Sequence, residues 1–377
     1  MSDADLSQSL RVLHITNWYP TEVNPLDGIW IKRQIDSLPS QVRCDLHHIQ
    51  VEFGKNVERI KSTTPGIRFR IPIRSWLLVE LITTIILAYT LIFRVKLKQY
   101  DLINFHIAYP LCVFLKYIQP ILKKPVVINE HWSAYHFNFG VSEPEKLYRI
   151  KAIFRPGIKM ITVSKALAQD IEHFTKKQNL DIDVVPNVVN TEVFRYAPTS
   201  GQGFLMAGFW KYPKDPVLTI KAFADVCDEF PNAMLRIAGN GPLIPTMQKF
   251  AKEVGVQNKV VWLGRLNESE LAMEMQKALA FVHMSKYETF SVVCAEAICC
   301  GTPVIASAVG GISEFINDCN GHLIAKNQQV ALSQAMKNLI TDDQYDRARI
   351  ADEACSRFSR KRVGELYYQT LIDTCAA

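Results

Sequence analysis

The sequence lacks the cysteine patterns of a metal site or a disulfide framework. Its nine cysteines include no Cys-x-x-Cys pair and no Cys/His spacing that suits a metal ion. Most of them lie among apolar residues, as Cys294 does between Val293 and Ala295. We therefore expect reduced, buried thiols, no metal and a cytoplasmic protein.

A signal-peptide pattern and a strong charge are also absent. Residues Met1 to Gln8 are polar and acidic, so we expect no secretion signal. The net charge of +6 permits attraction to phosphates or to an anionic membrane surface, and it does not call for nucleic acid. The 377 residues, 48% hydrophobic and 21% charged, are typical of an ordinary folded protein with two or three domains.

One long hydrophobic run extends from Trp76 to Phe93. As a helix it would reach roughly 27 Å, marginally enough to span a bilayer core. Glu80, Thr83, Thr84 and Thr90 would form a thin polar stripe along one side of that helix. The stripe favours a helix docked inside a domain, with a helix in a membrane interface or a spanning helix as alternatives. The basic residues that follow, such as Arg94, would suit the anionic inner face of a membrane.

Short apolar runs alternate with helical patterns along the whole chain, which indicates parallel sheets covered by helices. The turn-rich segment before Phe204 separates two such alternations. We predict an α/β protein with two Rossmann-like domains facing each other across a cleft. The predicted bounds are 1–196 and 197–357, and the helix 358–377 is expected to pack back on the first domain. The first strand is followed by Thr16 to Pro20 rather than by Gly-x-Gly-x-x-Gly, which argues against an oxidoreductase.

The stretch from Ser285 to Ala306 contains the most informative pattern. It is predicted to be a strand end, a loop with Glu288, a helix with Glu296, and a further strand. Ser291 is a plausible N-cap of the helix, and the amides near Phe290 would then form a phosphate site. Two carboxylates near a bound sugar and ribose could each hold vicinal hydroxyls.

This stretch resembles the Glu-x7-Glu signature of the retaining glycosyltransferases of family 4. Further segments in the same order resemble other parts of that family. They are Tyr100 to His106, Asn129-Glu130-His131, Val185 to Asn190, Ile237 to Pro242 and Val309 to Glu314. The resemblance covers most of the chain, and it implies the GT-B fold.

The resemblance also implies roles for single residues in transfer from a UDP- or GDP-sugar. Glu288, His131 and Lys214 would act at the reacting centre, with Lys214 facing the diphosphate. Glu296 would bind the ribose, and Phe290 and Ser291 would offer backbone amides. The remaining implied contacts are Gly208, Gly239 and Gly241 on the donor side and Gly28 and His106 at the acceptor or phosphate loop.

The chain departs from the family at Phe209, where the family usually has an arginine that binds the diphosphate. Lys211 or Arg265 would have to supply the missing charge. Asp215 and the single glycine of the first loop are further departures, and all three concern donor geometry more than reaction class.

Structural roles stand beside these functional ones. Glu288 and Lys214 could be solvated, and His131 and His106 could be buried for packing. Gly239, Gly241, Gly310 and Gly311 could be turn formers. The basic segment Lys146 to Lys159 could be a solvated helix face or could touch phospholipid or a phosphorylated acceptor.

The expected reaction is transfer, with retention, of a hexose-type sugar to a hydroxyl of a saccharide or a polyprenyl-linked acceptor in surface polysaccharide synthesis. No cofactor is expected. A sugar-nucleotide epimerase and a non-catalytic sugar-nucleotide-binding or membrane-scaffold protein remain alternatives. The sequence does not identify the nucleotide, the sugar, the linkage or the oligomeric state.

Overall fold

The computed structural model describes residues 9–376 except 23, 61–62, 73, 200, 326–327 and 343, together with the backbone alone at 121. Residues 1–8, in which we expect no secretion signal, lie outside the described residues. The chain divides into two compact units. The first contains the described residues up to Asn187 and those from Val363 onward, and the second runs from Val188 to Arg362.

The first unit is an eight-stranded sheet with its helices. Its elements are β1 (Arg11–Thr16), α1 (Ile29–Ser37), β2 (Arg43–Phe53), β3 (Glu58–Arg59), β4 (Gly66–Ile71), α2 (Trp76–Tyr89), β5 (Leu102–His106), α3 (Leu115–Leu122), β6 (Val126–Glu130), α4 (Pro144–Lys151), β7 (Lys159–Thr162), α5 (Lys165–Thr175) and β8 (Ile182–Val184). The strand order is β3-β4-β2-β1-β5-β6-β7-β8, and every pairing except β3 with β4 is parallel.

The second unit has a six-stranded sheet in the order β11-β10-β9-β12-β13-β14, with all pairings parallel. Its elements are β9 (Phe204–Phe209), α6 (Pro216–Glu229), β10 (Leu235–Asn240), α7 (Ile244–Glu253), β11 (Val260–Gly264), α8 (Glu268–Lys277), β12 (Ala280–His283), α9 (Val292–Cys299), β13 (Val304–Ser307), β14 (Gly321–Ile324), α10 (Gln329–Thr341) and α11 (Arg347–Phe358). Side chains such as Phe204 and Phe223 fill its core. The prediction of two Rossmann-like parallel-sheet domains is confirmed.

The last helix, α12 (Arg360–Ala376), joins the first unit through its C-terminal part. The hydroxyl of Tyr367 bonds with the Asn104 side chain of β5, and the Thr370 hydroxyl donates to Asp183 at 2.9 Å. At Gly364 an added Cβ would lie 1.9 Å from the Ser37 carbonyl oxygen, so the helix approaches α1 closely. The N-terminal part of the first unit ends at Asn187, whereas the sequence predicts the boundary between the two domains at residues 196 and 197.

Helix α2 buries its polar stripe and exposes apolar side chains. Glu80 is fully buried, where it accepts from Arg149 Nε at 2.6 Å and from the Tyr109 hydroxyl at 3.0 Å. Thr83 and Thr90 are buried as well, whereas Thr84 is half-buried. By length and composition the helix Trp76–Arg94 would suffice to cross a membrane, and 39% of its most apolar window is buried.

Two side chains of the basic segment Lys146 to Lys159 have neither of the roles expected from the sequence, which were a solvated helix face or contact with phospholipid or a phosphorylated acceptor. Arg149 pairs with buried Glu80, and Lys146 is buried with its ammonium group 4.3 Å from the centre of the Trp76 ring. These two side chains therefore fasten α4 to α2 instead of forming a solvated face.

The cysteines are less uniformly buried than expected. All nine are free thiols, and five of them are buried, but Cys44 and Cys319 are exposed.

Candidate functional site

Three polar side chains meet where strand β12 of the second unit ends. Glu288 Oε1 accepts from Lys214 Nζ and lies 2.9 Å from His283 Nε2, and the Lys214 and His283 nitrogens are 3.2 Å apart. His283 is the last residue of β12, and an isolated bridge pairs Lys214 with Ser285. Two predicted site residues are thus brought together, with a histidine between them that the motif analysis missed.

The charges of this cluster are set by its burial. Burial raises the pKa of Glu288, but the Lys214 charge and the His283 hydrogen bond outweigh burial and lower that pKa to about 2. Burial and Lys214 together lower the pKa of His283. At neutral pH the cluster is a carboxylate held by an ammonium group and a neutral imidazole. The imidazole then donates its Nε2–H to the carboxylate.

The loop that contains Glu288 is fixed by a glycine pair after β13. The Gly311 amide donates to the Glu288 carbonyl oxygen at 3.0 Å. At Gly310 the backbone has φ 50°, and an added Cβ would lie 1.8 Å from that same oxygen. Any side chain at Gly310 would therefore displace the Glu288 backbone. The glycine pair positions Glu288, a role that reaches beyond turn formation.

Helix α9 begins directly after this loop without a side-chain cap. Ser291 occupies the N-cap position, but its backbone is left-handed with φ 73°, and its hydroxyl donates to Cys294 Sγ at 3.2 Å. Ser291 thus occupies the N-cap position that the sequence predicts, but its side chain makes no capping hydrogen bond. The first-turn amides of a helix have no acceptor within the helix, so this end can bind an anion.

Phe290, before the start of α9, and Glu296, within the helix, are both buried. The Phe290 ring packs against Phe315 and Phe358, with ring centres 5.2 and 5.5 Å apart, and so anchors the loop. Burial raises the pKa of the Cys294 thiol to about 12, and Glu288 and Glu296 add to that effect. Both carboxylates therefore lie in the electrostatic surroundings of one thiol.

The ends of β9 and β10 meet through glycines. An added Cβ at Gly239 would lie 1.9 Å from the Gly208 carbonyl oxygen, and one at Gly241 would lie 2.5 Å from that of Trp210. Gly208 itself has room for a Cβ, since the nearest atoms lie at 4.0 Å. Gly239 and Gly241 are thus required by the close approach of two chain segments, whatever they do for a ligand.

The position where the resemblance expects an arginine is a half-exposed ring. Phe209 is 51% exposed, and Lys211 Nζ lies 5.5 Å from the centre of its ring. Arg265 follows β11 and is exposed. Lys211 therefore brings a cation beside Phe209, and its carbonyl oxygen accepts from the amide of Lys214 at 2.9 Å, next to the Glu288 cluster.

The predicted residues of the first unit lie at the carboxyl ends of its strands. His106 ends β5 and lies 3.0 Å from His14, from Nε2 to Nδ1, while His131 follows β6. Among the described residues, the ring nitrogens of His131 are buried without a hydrogen bond of ordinary geometry, and the side chain of Asn187 is a polar group near them. Gly28 precedes α1 in a left-handed conformation, and an added Cβ there would lie 2.6 Å from the Trp18 carbonyl oxygen.

Burial keeps these histidines neutral. It lowers the pKa of His14 and of His131 to about 3 and that of His48 to about 4, and it places the pKa of His106 well below its usual value. We call His14, His48, His106 and His131 the buried histidines.

Beside them, burial raises the pKa of Glu130 to about 7. Four hydrogen bonds to this carboxyl oppose that shift. Their donors are the Tyr135 hydroxyl and the amides of Ala108, His131 and Trp132.

The sequence argument passed over His283, and it named Gly310 and Gly311 as part of a turn without connecting them with Glu288. A histidine at the end of an otherwise apolar strand was the available signal for His283, because ligands bind at the carboxyl ends of parallel strands. No sequence pattern connects Gly310 with Glu288, because their contact forms only when the chain folds.

Comparison with known proteins finds glycosyltransferase models that match most of both units. Residues 41–193 match the model described as Glycosyltransferase Family 4, and residues 197–357 match the model described as Glycosyl transferases group 1. Each half of the chain therefore matches the model of a glycosyltransferase domain. The Glu288 cluster lies in the group 1 domain, and the buried histidines other than His14 lie in the family 4 match.

The curated relatives are glycosyltransferases and related synthases. An uncharacterized glycosyltransferase of Methanocaldococcus jannaschii is 28% identical over 200 residues, which is 49% of this chain and 51% of that protein. The N-acetyl-alpha-D-glucosaminyl L-malate synthase of Bacillus anthracis is 25% identical over 244 residues, 59% of this chain and 63% of its own. The chain thus spans between half and two thirds of the length of these two relatives.

Solved glycosyltransferase structures share the fold over nearly the whole chain. The Anabaena protein HepE, crystallised with UDP, has a TM-score of 0.74 at 16% identity and covers 97% of this chain and 100% of its own. A lipopolysaccharide outer core galactosyltransferase has a TM-score of 0.73 at 16% identity, with 97% and 99% covered. At this identity the likeness establishes the GT-B fold.

Proposed function

We propose that the protein is a retaining glycosyltransferase. It would move a hexose-type sugar from a UDP- or GDP-sugar to a hydroxyl of a saccharide or lipid-linked acceptor in surface polysaccharide synthesis. The observation that carries the proposal is the Lys214–Glu288–His283 cluster next to the uncapped start of α9. A cation and free amides suit a diphosphate, and a buried carboxylate suits sugar hydroxyls.

In this proposal the second unit binds the donor. The amides at Phe290 to Val293 and the ammonium group of Lys214 would offset the charge that develops on the leaving diphosphate, without a metal ion. Glu288 would accept hydrogen bonds from donor sugar hydroxyls, and His283 would hold its carboxylate in place. Glu296 would take the ribose hydroxyls. UDP is the first nucleotide to test, because HepE was crystallised with UDP and with UDP-glucose.

Retention would follow from attack on the same face of the sugar that the diphosphate leaves. A double displacement would need a nucleophile beside the anomeric carbon, and no residue is assigned that role. The acceptor hydroxyl oxygen would bond to the anomeric carbon as the bond to the diphosphate oxygen breaks, and the hydroxyl proton would pass to the leaving diphosphate. Lys214 would stabilise that diphosphate. His131 is proposed to act at the reacting sugar, and His106 at the acceptor or phosphate loop.

The test is a transfer assay with the full chain on UDP- and GDP-sugars, in a buffer with EDTA. Donor binding is measured separately by thermal shift, because a ligand that binds the folded state raises its melting temperature. We expect Glu288→Gln and Lys214→Met each to lower turnover about 10² to 10³-fold, the usual loss when one group that stabilises developing charge is removed. The matched control is Lys249→Met, an exposed lysine of the same unit.

Wild-type rates in either variant would contradict the roles of those residues. A product with inverted anomeric configuration by NMR would refute retention. Conversion of donor without any acceptor would favour the epimerase, and a thermal shift with no turnover on any donor would favour the non-catalytic protein.

A further inference from the structure

Helix α2 presents an apolar face to the outside of the first unit. Four side chains spaced by four residues line this face, and two more extend it through the π-helical turn Thr90–Arg94. They are Leu77, Leu81, Ile85, Tyr89, Ile92 and Phe93, all of them exposed. Ile85, Ile92 and Phe93 are 66%, 63% and 72% exposed. Single exposed apolar residues are normal, whereas a contiguous row of large ones marks an interaction surface.

The opposite side of α2 shows that the helix is built into the unit. It packs against β2, and it buries the Glu80 carboxylate in its ion pair with Arg149. A membrane-spanning helix would have to bring Glu80 and Thr83 into hydrocarbon, which is costly. The helix therefore lies along the unit with one side inside and the apolar side outside.

The ends of the apolar face are positively charged. Arg74 precedes the helix, and Arg94, Lys96 and Lys98 follow it, all four exposed. Between residues 74 and 100 the sequence has one carboxylate, Glu80, and that carboxylate is buried. Two copies of such a face would bring like charges together, whereas an anionic surface is complementary to the charges.

We propose that the apolar face of α2 and its flanking cations dock on the surface of an anionic lipid bilayer. The apolar side chains would enter the boundary between headgroups and acyl chains, with the helix parallel to the membrane plane. Trp76 and Tyr89 are of the types that favour this boundary. Tyr148 of α4 is also exposed, and it is of the same type. Arg149 and Lys146 fasten α4 to α2. This docking does not depend on the sugar-transfer reaction.

The test is sedimentation of the full-length protein with vesicles, without donor or acceptor. One set of vesicles is pure phosphatidylcholine, and the other contains phosphatidylglycerol. We expect binding to the anionic vesicles that weakens as salt increases, because salt screens exposed charges. Lys96→Gln and Lys98→Gln should each lower partitioning about five-fold, from roughly 1 kcal/mol per cation near an anionic surface. Ile85→Gln should lower it about tenfold.

The matched controls are Val57→Gln, at a 73% exposed apolar residue of the same unit, and Lys249→Gln in the second unit. Both should bind vesicles as the wild type does. Unchanged thermal melting of the variants separates lost docking from lost folding.

Several results would overturn the proposal. They are no vesicle binding at low salt, equal binding to neutral vesicles, and Ile85→Gln that binds like the controls. A concentration-dependent mass that Ile85→Gln abolishes would replace the bilayer with a second copy of the chain. Release by detergent but not by high salt or by alkaline carbonate would replace surface docking with a span.

Discussion

Replacing Lys214 with methionine should leave the Glu288 carboxylate buried without its cation. The side chains of Lys214 and Glu288 are 19% and 13% exposed, so water screens the pair little. Breaking a buried ion pair costs about 3 to 5 kcal/mol, and we take the lower end because some exposure remains. For a domain of this size, about 3 kcal/mol lowers the melting temperature of the second unit by roughly 6 to 12 °C.

A second substitution shows whether the loss comes from the unpaired charge. In Lys214→Met/Glu288→Gln the buried carboxylate is gone, so the double variant should be at least as stable as Lys214→Met alone. Glu288→Gln alone should cost about 1 to 2 kcal/mol, since the lysine can turn its ammonium group toward water. The assay is urea unfolding of the four proteins at pH 7, followed by a signal from the second unit.

The pH dependence of the same proteins gives an independent readout. The low pKa of Glu288 stabilises the wild type above pH 4.5, and this contribution is lost as the pH falls toward 2. Lys214→Met lacks this contribution, so its stability difference from the wild type should narrow below pH 4.5. Losses that simply add in the double variant, within about 0.5 kcal/mol, would refute the coupling of Lys214 with Glu288.

Two further predictions concern the glycine pair and the buried histidines. Gly310→Ala should lower turnover strongly by displacing the Glu288 loop, whereas Gly255→Ala, equally left-handed but with open space around it, should cost only about 1 kcal/mol of stability; equal turnover of the two variants would disprove the positioning role. The first unit should lose stability as the pH falls from 6.5 to 5.5, because its buried histidines take up protons only on unfolding. Glu130, with its raised pKa, offsets about one of those protons, which leaves roughly 2 to 3 kcal/mol per pH unit. A melting temperature of the first unit that stays the same between pH 6.5 and 5.5 would contradict this prediction.

The sequence by itself determined the class of fold and most elements that surround the Glu288 cluster of the second unit. Short apolar runs bounded by turns predicted β12 and β13, because strands buried on both faces leave this pattern. Strand β2 was missed because His47, His48 and Gln50 interrupt its apolar pattern. Strand β14 is short and ends the sheet, so it leaves little periodicity to detect.

Tertiary structure alone decided which side chains meet. Lys214, His283 and Gly310 are far apart in the chain, and they converge on Glu288 because parallel strands bring their carboxyl ends to one edge of the sheet. The spacing of polar residues in α2 likewise predicted a polar stripe. Only the packing of α2 against β2 and the ion pair with Arg149 determined that this stripe faces inward. Periodicity specifies that a helix has two faces, and the partners that cover one face decide which of them meets solvent.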